Sequence, residues 1–303
     1  MNTGRLKTAL LFPVLVVSIL AMMAGAAKAE LSAKQAREAL RHTAGIELKS
    51  SAIRVKSVST NGDSVNVTAE IRTVFKFQTD KDGHWYVAEI SIGRDRWEDV
   101  DLIARALGTS VGTGNCTAPD PPLKGKLATD PSLKRARCLL ASLLGVELPS
   151  DAVRIQEVNP LALPLASQPS ATVVSWVRVD ARLSKDKGGW QVAELRTGNR
   201  EPVKLDSLVA AVNQQKQNQA RADLDSIAGA LEKFRHDRGV YVVSDKQSVA
   251  IDFLSPHYLT RVIRVDPWHK PYLYNGARDH FTLRSSGPDG KADTSDDIEV
   301  TSR

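Results

Sequence analysis

The fold of the chain is decided near its C-terminus, where residues 281–298 read FTLRSSGPDGKADTSDDI. A short aromatic strand pair ends there in a turn that contains Gly287 and Gly290, which let the backbone point carbonyl groups inward without a Cβ clash. Three aspartates of the turn would repel one another without a cation: Asp289, Asp296 and Asp297. Because Ca²⁺ prefers carboxylate and carbonyl oxygens, the stretch predicts a hard-cation site. Its spacing is not that of an EF-hand loop.

A second pattern precedes this turn. An amphipathic helix is predicted to end near Gly239, with its apolar residues on one face: Leu224, Ile227, Ala228, Leu231 and Phe234. The run DPWHKPY follows at residues 266–272. This order, with the glycine turn and the final DDI, resembles the C-terminal globular domain of the major pseudopilin of type II secretion systems. The resemblance covers about residues 213–300.

The resemblance implies a long helix packed on a small antiparallel sheet, and a structural Ca²⁺ ion bound by a loop. In that family, three aspartate side chains and two loop carbonyls hold the ion. The matching positions here are the side chains of Asp289, Asp296 and Asp297 and the carbonyls of Ser286 and Pro288. Asp293 is an additional acid that offers a substitute ligand. The alternative is an acidic turn that is only solvated.

The N-terminus departs from the pseudopilin pattern. Residues 1–29 have a basic start, an apolar core and a small-x-small site at Ala27-Lys28-Ala29, which together predict a cleaved export signal. The alternative is an uncleaved anchor at residues 9–27, which is near the lower length limit for a bilayer span. A pseudopilin would instead have an apolar filament helix after its cleavage site. Here the chain becomes polar after Glu30.

The middle of the chain is duplicated in sequence. At an offset of 100 residues, GIEL at 45–48 matches GVEL at 145–148, and AIRV at 52–55 matches AVRI at 152–155. After a longer loop at 159–170 the offset becomes 105, where WYVAE at 85–89 matches WQVAE at 190–194. A match across several segments favours duplication over chance.

Each copy is predicted to be an α-β-β-β-α unit with an antiparallel sheet. The first copy has predicted helices at 32–44 and 97–107 and strands at 53–59, 64–78 and 84–92. The second copy has predicted helices at 132–144 and 203–212. We expect Trp85 and Trp190 to anchor the sheet to its helices, and Glu89 and Glu194 to lie on a polar face.

The fold class is therefore α+β. The expected divisions are a signal peptide at 1–29, a first module at 30–110, a linker at 111–130, a second module at 131–212 and a pseudopilin-like domain at 213–303. The polar run at 213–220 is either a loop or the middle of one helix from 205 to 238. The absence of Gly and Pro between Leu205 and Ala228 favours the single helix.

Two cysteines, Cys116 and Cys138, fit an exported protein. A disulfide between them would tie the linker to the helix at 132–144. The alternative is two unpaired thiols, with Cys138 as a small core residue.

Composition excludes several functions. The net charge of +6 falls to +3 without residues 1–29, which is too weak to indicate nucleic-acid binding. We find no catalytic constellation, so we expect neither an enzyme nor a small-molecule substrate. Two hypotheses are left: a structural protein of a secretion or pilus-like assembly, and a free-standing extracytoplasmic binding module. Membrane contact is expected only through an uncleaved N-terminal segment.

Overall fold

The computed structural model describes residues 31–43, 46–61, 64–80, 82–93, 96–108, 116, 131–149, 151–159 and 169–302. The predicted signal peptide lies outside the described residues, and so does the predicted linker apart from Cys116. Within the described part of the chain, no helix is long and apolar enough to cross a membrane.

The elements follow one another in an order that occurs twice and is then succeeded by a third unit. The first part contains α1 Ala33–Arg41, β1 His42–Thr43, β2 Ile46–Glu47, β3 Ile53–Asn61, β4 Ser64–Thr79, β5 Trp85–Gly93, β6 Arg96–Asp99 and α2 Val100–Ala106. The second contains α3 Leu133–Leu144, β7 Val153–Asn159, β8 Ser170–Asp186, β9 Gly189–Thr197, β10 Val203–Lys204 and α4 Leu205–Arg238. The third contains α5 Gln247–Leu254, β11 Leu273–Gly276, β12 Phe281–Ser285 and β13 Ile298–Thr301.

The first helix of each copy begins at a serine cap. The Ser32 hydroxyl accepts a hydrogen bond from the backbone N–H of Gln35, and the Gln35 side chain completes a capping box. Ser132 accepts in the same way from the N–H of Arg135. The second helix ends at Gly145, which has a φ of +66°, a value that favours glycine. The helix α3 confirms the prediction at 132–144, whereas α1 ends at Arg41, before the predicted end at residue 44.

The two copies form one sheet. Its eight strands run in the order β10-β9-β8-β4-β5-β6, with β3 also paired to β4 and β7 also paired to β8. The long strands β4 and β8 join the copies, in antiparallel register from Ser64–Ser184 to Gln78–Ser170. This differs from the predicted separate sheets. In an isolated copy one edge of the longest strand would be unpaired, and the β4–β8 pairing satisfies both such edges.

Irregularities of the strands recur between the copies. A β-bulge lies between Val55 and Ser57 and another between Ile155 and Glu157, at the predicted offset of 100. A bulge in the β4–β5 pairing follows Lys76, and one in the β8–β9 pairing follows Arg182. These bulges support the duplication, which stays a prediction.

The closing helices begin later in the chain than predicted. Residues 97–107 and 203–212 were expected to be helical, but β6 and β10 precede the helices and pair with β5 and β9. The Asp99 carboxylate caps the first of these helices by accepting from the N–H groups of Asp101 and Leu102. A cap residue has extended rather than helical dihedrals, so the helix begins only at Val100.

One hydrophobic core lies between the sheet and the helices α1 and α3. The helices contribute Ala36, Leu40, Ala136, Leu139 and Leu140, and the strands contribute Val65, Val67, Phe75, Phe77, Trp85, Val173, Val177 and Leu183. Trp85 is buried and Trp190 packs at the margin of this core, which confirms that both anchor the sheet. A disulfide joins Cys116 to Cys138, as predicted.

The C-terminal unit has a second core on the helix α4, which runs from Leu205 to Arg238 without interruption and confirms the single-helix prediction. Its residues Ala220, Leu224, Ile227 and Leu231 pack with Tyr241, Ile251, Tyr272, Phe281 and Ile298. The strands β11, β12 and β13 form a three-stranded antiparallel sheet. The helix thus belongs to both parts of the molecule.

Candidate metal site

The acidic loop connects β12 to β13, and its backbone is folded tightly. Gly287 has a φ of +61° and Gly290 a φ of +64°. A Cβ atom on Gly287 would lie 2.3 Å from the carbonyl oxygen of Asp296. Only glycine therefore allows the two sides of the loop to approach this closely.

The three predicted carboxylates converge on one atom, the hydroxyl oxygen of Thr294. This oxygen lies 2.7 Å from Asp296 Oδ1, 3.4 Å from Asp289 Oδ1 and 3.4 Å from Asp297 Oδ1. A hydroxyl has a single proton to donate, so it cannot satisfy all three acceptors. Thr294 therefore compensates little of the negative charge that the three carboxylates bring together.

Backbone and arginine donors hold the outer sides of these carboxylates. The N–H of Asp289 donates to Asp296 Oδ2 at 3.1 Å, and the N–H of Asp293 donates to Asp297 Oδ2 at 2.8 Å. The guanidinium of Arg284 donates to Asp293 at 2.5 Å and to Asp297 at 3.2 Å. The hydrogen bond from Thr294 and that from the Asp289 N–H lower the pKa of Asp296 below its ordinary value. Backbone N–H groups and Arg284 thus hold the carboxylates of Asp296 and Asp297 in place.

The predicted carbonyl ligands belong to Ser286 and Pro288. Within the described residues, no hydrogen bond reaches either carbonyl oxygen. Ser286 is buried, at 7% exposure, and buried carbonyl groups normally have a partner. The donor set therefore fits Ca²⁺, which combines carboxylate and backbone oxygens.

The ligand atoms of Asp289, Asp296 and Asp297 are farther apart than those of another cluster, on the turn between β4 and β5. Among the described residues, only Asp80, Asp82 and His84 bring three ligand atoms within 4.8 Å of one another. Those three side chains are exposed on the hairpin turn between β4 and β5. The three aspartates of the acidic loop do not meet this 4.8 Å limit.

The buried carboxylate of Asp266 ties this loop to the DPWHKPY turn. Its Oδ2 accepts from the Ser285 hydroxyl at 2.6 Å, and that hydroxyl accepts from the N–H of Gly287. Its Oδ1 accepts from the N–H groups of Trp268 and Lys270. Sequence reasoning missed this role, although an acid directly before proline is a common turn signal.

The same turn contacts the first copy. His269 has a φ of +65°, and its Nε2 lies 2.6 Å from the carbonyl oxygen of Trp97. The indole N–H of Trp268 donates to Asn213 on α4 at 3.2 Å. The DPWHKPY turn therefore links the acidic loop, α4 and β6. His269 had no functional role in the sequence reasoning, because its partner is 172 residues away.

A second buried carboxylate, Asp223 on α4, also escaped the sequence analysis. It accepts hydrogen bonds from Arg261 at 2.5 Å, from the Tyr272 hydroxyl at 3.1 Å and from Gln219 at 2.9 Å. Burial, together with the negative charge of Asp223, raises the pKa of the Tyr272 hydroxyl above its ordinary value. Tyr272 lies in the core that includes α4, and Trp268 packs against that core.

The C-terminal unit matches one known protein family. Residues 207–303 match the family described as type II secretion system (T2SS), protein G. The match confirms the pseudopilin resemblance over about a third of the chain, and it begins within α4. We refer to residues 207–303 as the protein G domain. No significant match was found among curated proteins or among solved structures.

The protein G family is a structural, pseudopilin family rather than a catalytic one. This agrees with the expectation of a non-enzymatic chain for residues 207–303. The acidic loop and Asp266 lie within the protein G domain, whereas Trp97 and the joined sheet lie outside the matched region.

Proposed function

We propose that the chain is an exported structural protein of a type II secretion or pilus-like assembly. In this proposal its protein G domain contacts the assembly and carries the eight-stranded sheet with it. The observation that carries the proposal is the family match over residues 207–303. The proposed location is extracytoplasmic, which the Cys116–Cys138 disulfide supports, because disulfides persist in oxidising compartments.

The proposal includes a structural Ca²⁺ ion in the acidic loop. Asp289, Asp296 and Asp297 would hold it with their carboxylates, and Ser286 and Pro288 with their carbonyl oxygens. When bound, the ion would neutralise the charge that the three carboxylates bring together. The residues of the loop supply the ligands, Gly287 supplies the close approach of its two sides, and Asp266 fixes the loop to the neighbouring turn.

The protein G domain has a surface suited to contacts with other subunits. Its most exposed large apolar residues are Val243, Phe253, Val262 and Val265, with 61%, 59%, 51% and 48% exposure. In this proposal these side chains make the contacts with other subunits, because exposed apolar surface is used in interaction sites. By contrast, Lys216 and Ala220 of α4 are buried within the chain.

Co-sedimentation with pseudopilus subunits tests the proposal. We expect the exported protein to sediment with them, and the variant Phe253→Asp/Val262→Asp to stay in the supernatant. The matched control is Leu133→Asp on α3, since Leu133 is 53% exposed but lies outside the protein G domain. A monomer that never contacts these subunits would favour a free-standing extracytoplasmic binding module instead.

A further inference from the structure

Arg284, on β12, is a cation that contacts the proposed Ca²⁺ site directly. Its Nη1 atom lies 2.5 Å from Asp293 Oδ1 and 3.2 Å from Asp297 Oδ2. Asp297 is one of the three carboxylates proposed to hold the ion, and Asp293 is the substitute ligand. Within the part of the chain that the structure describes, no other cation forms an ion pair with any of the three carboxylates.

The carboxylate of Asp297 is shielded from solvent. Its side chain is 10% exposed, and that of Arg284 is 24% exposed. Partial burial strengthens the attraction between two such charges, because water and salt screen them less. The arginine therefore already supplies Asp297 with part of the charge neutralisation that a bound Ca²⁺ ion would supply.

The orientation of Asp297 does not depend on this arginine alone. The backbone N–H of Asp293 donates to the same oxygen, Asp297 Oδ2, at 2.8 Å. The other oxygen, Oδ1, lies 3.4 Å from the hydroxyl of Thr294, on the side where the three carboxylates converge. Removal of the Arg284 charge would thus leave a backbone donor in place. A role of Arg284 in charge compensation can therefore be separated from a role in positioning the carboxylate.

Arg284 also has acidic neighbours outside the set of three proposed carboxylate ligands. Asp293 is 81% exposed, and Glu299, which is exposed, lies opposite Arg284 in the pairing of β12 with β13. The hydrogen bond to Asp293 and the negative charges of Asp297 and Glu299 raise the pKa of Arg284 above its ordinary value. An arginine that shares Asp297 with a second cation therefore keeps other anionic partners.

We propose that Arg284 competes with Ca²⁺ for the negative charge of Asp297, so that it stabilises the acidic loop without the ion and lowers the affinity of the loop for the ion. The inference rests on the proposed Ca²⁺ ion and names the residue that regulates this site. Two cations at one carboxylate repel each other, so the arginine contact and the bound ion oppose one another. The protein G domain then stays folded at low Ca²⁺ concentration and takes up the ion only at higher concentration.

Two measurements on the full exported protein test the proposal. Isothermal titration with CaCl₂, below the Tm that each protein has in EGTA, gives the affinity, and scanning calorimetry gives Tm in EGTA and in saturating Ca²⁺. We expect Arg284→Gln to bind Ca²⁺ roughly tenfold more tightly, because a unit charge one carboxylate away from a divalent ion repels it by about that factor even in water. Its Tm should fall below that of the parent in EGTA and approach that of the parent in Ca²⁺.

Two further variants separate the charge of Arg284 from the charge of the loop in general. Arg284→Lys keeps the charge, so its affinity should be closer to that of the parent than to that of Arg284→Gln. The matched control is Lys291→Gln, which removes the same charge from an exposed position in the acidic loop. Its affinity should stay within about twofold of the parent, since the charge of an exposed side chain is screened at physiological salt.

Weaker Ca²⁺ binding by Arg284→Gln would overturn the proposal and assign Arg284 to the positioning of Asp297. An affinity equal to that of the parent would also overturn it, as would an equal gain in the Lys291→Gln control. So would an Arg284→Gln variant that is unfolded in both Ca²⁺ and EGTA, because the ion-bound state would then need the arginine too. In all these cases the parent still binds Ca²⁺ and the proposed ion stands. A parent that binds no Ca²⁺ would overturn the proposed ion as well.

Discussion

The Nζ atom of Lys216 lies 2.5 Å from Oε2 of Glu98, and both side chains are almost completely buried, with 5% and 10% exposure. Lys216 belongs to α4 of the protein G domain, and Glu98 belongs to β6 of the first copy. The pair therefore links α4 to β6. The carbonyl oxygen of Trp97, the residue before Glu98, accepts a hydrogen bond from Nε2 of His269.

We expect Lys216→Met alone to lower the free energy of unfolding by about 3–5 kcal/mol, because it leaves the Glu98 carboxylate buried without its cation. The double variant Lys216→Met/Glu98→Leu should recover most of this loss, since replacing both partners by apolar groups is often neutral. Urea denaturation measures both. A double variant as unstable as the single one would contradict the role of the pair.

Substitution of His269 separates backbone strain from the contact with Trp97. His269→Gly relieves the strain of a positive φ, whereas His269→Ala keeps it, and both lose the hydrogen bond. The glycine variant should therefore be more stable than the alanine variant by about 1 kcal/mol. Thermal unfolding of the two variants measures the difference, and equal stability would show that the backbone relaxes.

Glycine at position 287 is required by the fold of the acidic loop. We expect Gly287→Ala to destabilise the protein by about 1–3 kcal/mol, because the added Cβ meets the Asp296 carbonyl and φ is positive. The matched control is Gly229→Ala in α4, where an added Cβ meets nothing within 4 Å. That control should stabilise the protein by up to about 1 kcal/mol. Chemical denaturation curves compare the two variants.

The pKa of Asp296, measured without added metal, tests the hydrogen bonds within the acidic loop. The pKa of Asp296 is lowered in the folded protein by the Thr294 hydroxyl and by the Asp289 N–H. A carboxyl group with a lowered folded pKa stabilises the protein above its unfolded pKa, and this contribution is lost as the pH falls through the folded pKa. Thr294→Val should move the pKa back toward the ordinary aspartate value near about 4. NMR titration of the carboxyl carbon checks this, and an unchanged pKa would contradict the assigned cause.

Local features of the fold could be predicted from the sequence. Ser32 and Ser132 cap helices within one or two residues of the predicted starts, because capping and apolar periodicity are local signals. The strand from Ser64 to Thr79 was predicted almost to its end for the same reason. The absence of helix breakers also identified α4 as a single helix.

Contacts between residues far apart in the chain could not be predicted from the sequence. Alternation shows which face of β4 is buried, but it does not indicate that β8 is its neighbour. The strands β6 and β10 are too short for a periodic signal. Asp266 belongs to the DPWHKPY run, but that run does not indicate the contact of its carboxylate with Ser285, which lies 19 residues further along the chain.

We propose that Ca²⁺, bound in the loop that contains Asp289, Asp296 and Asp297, stabilises the protein G domain. Differential scanning calorimetry of the exported protein, with Ca²⁺ and with EGTA, tests it directly. An ion bound only by the folded state raises Tm, so EGTA should lower the Tm of the parent. The variant Asp289→Asn/Asp296→Asn/Asp297→Asn should lose this response. Asp80→Asn/Asp82→Asn, in the other acidic cluster, should keep it. A parent protein with the same Tm in Ca²⁺ and EGTA would contradict the claim.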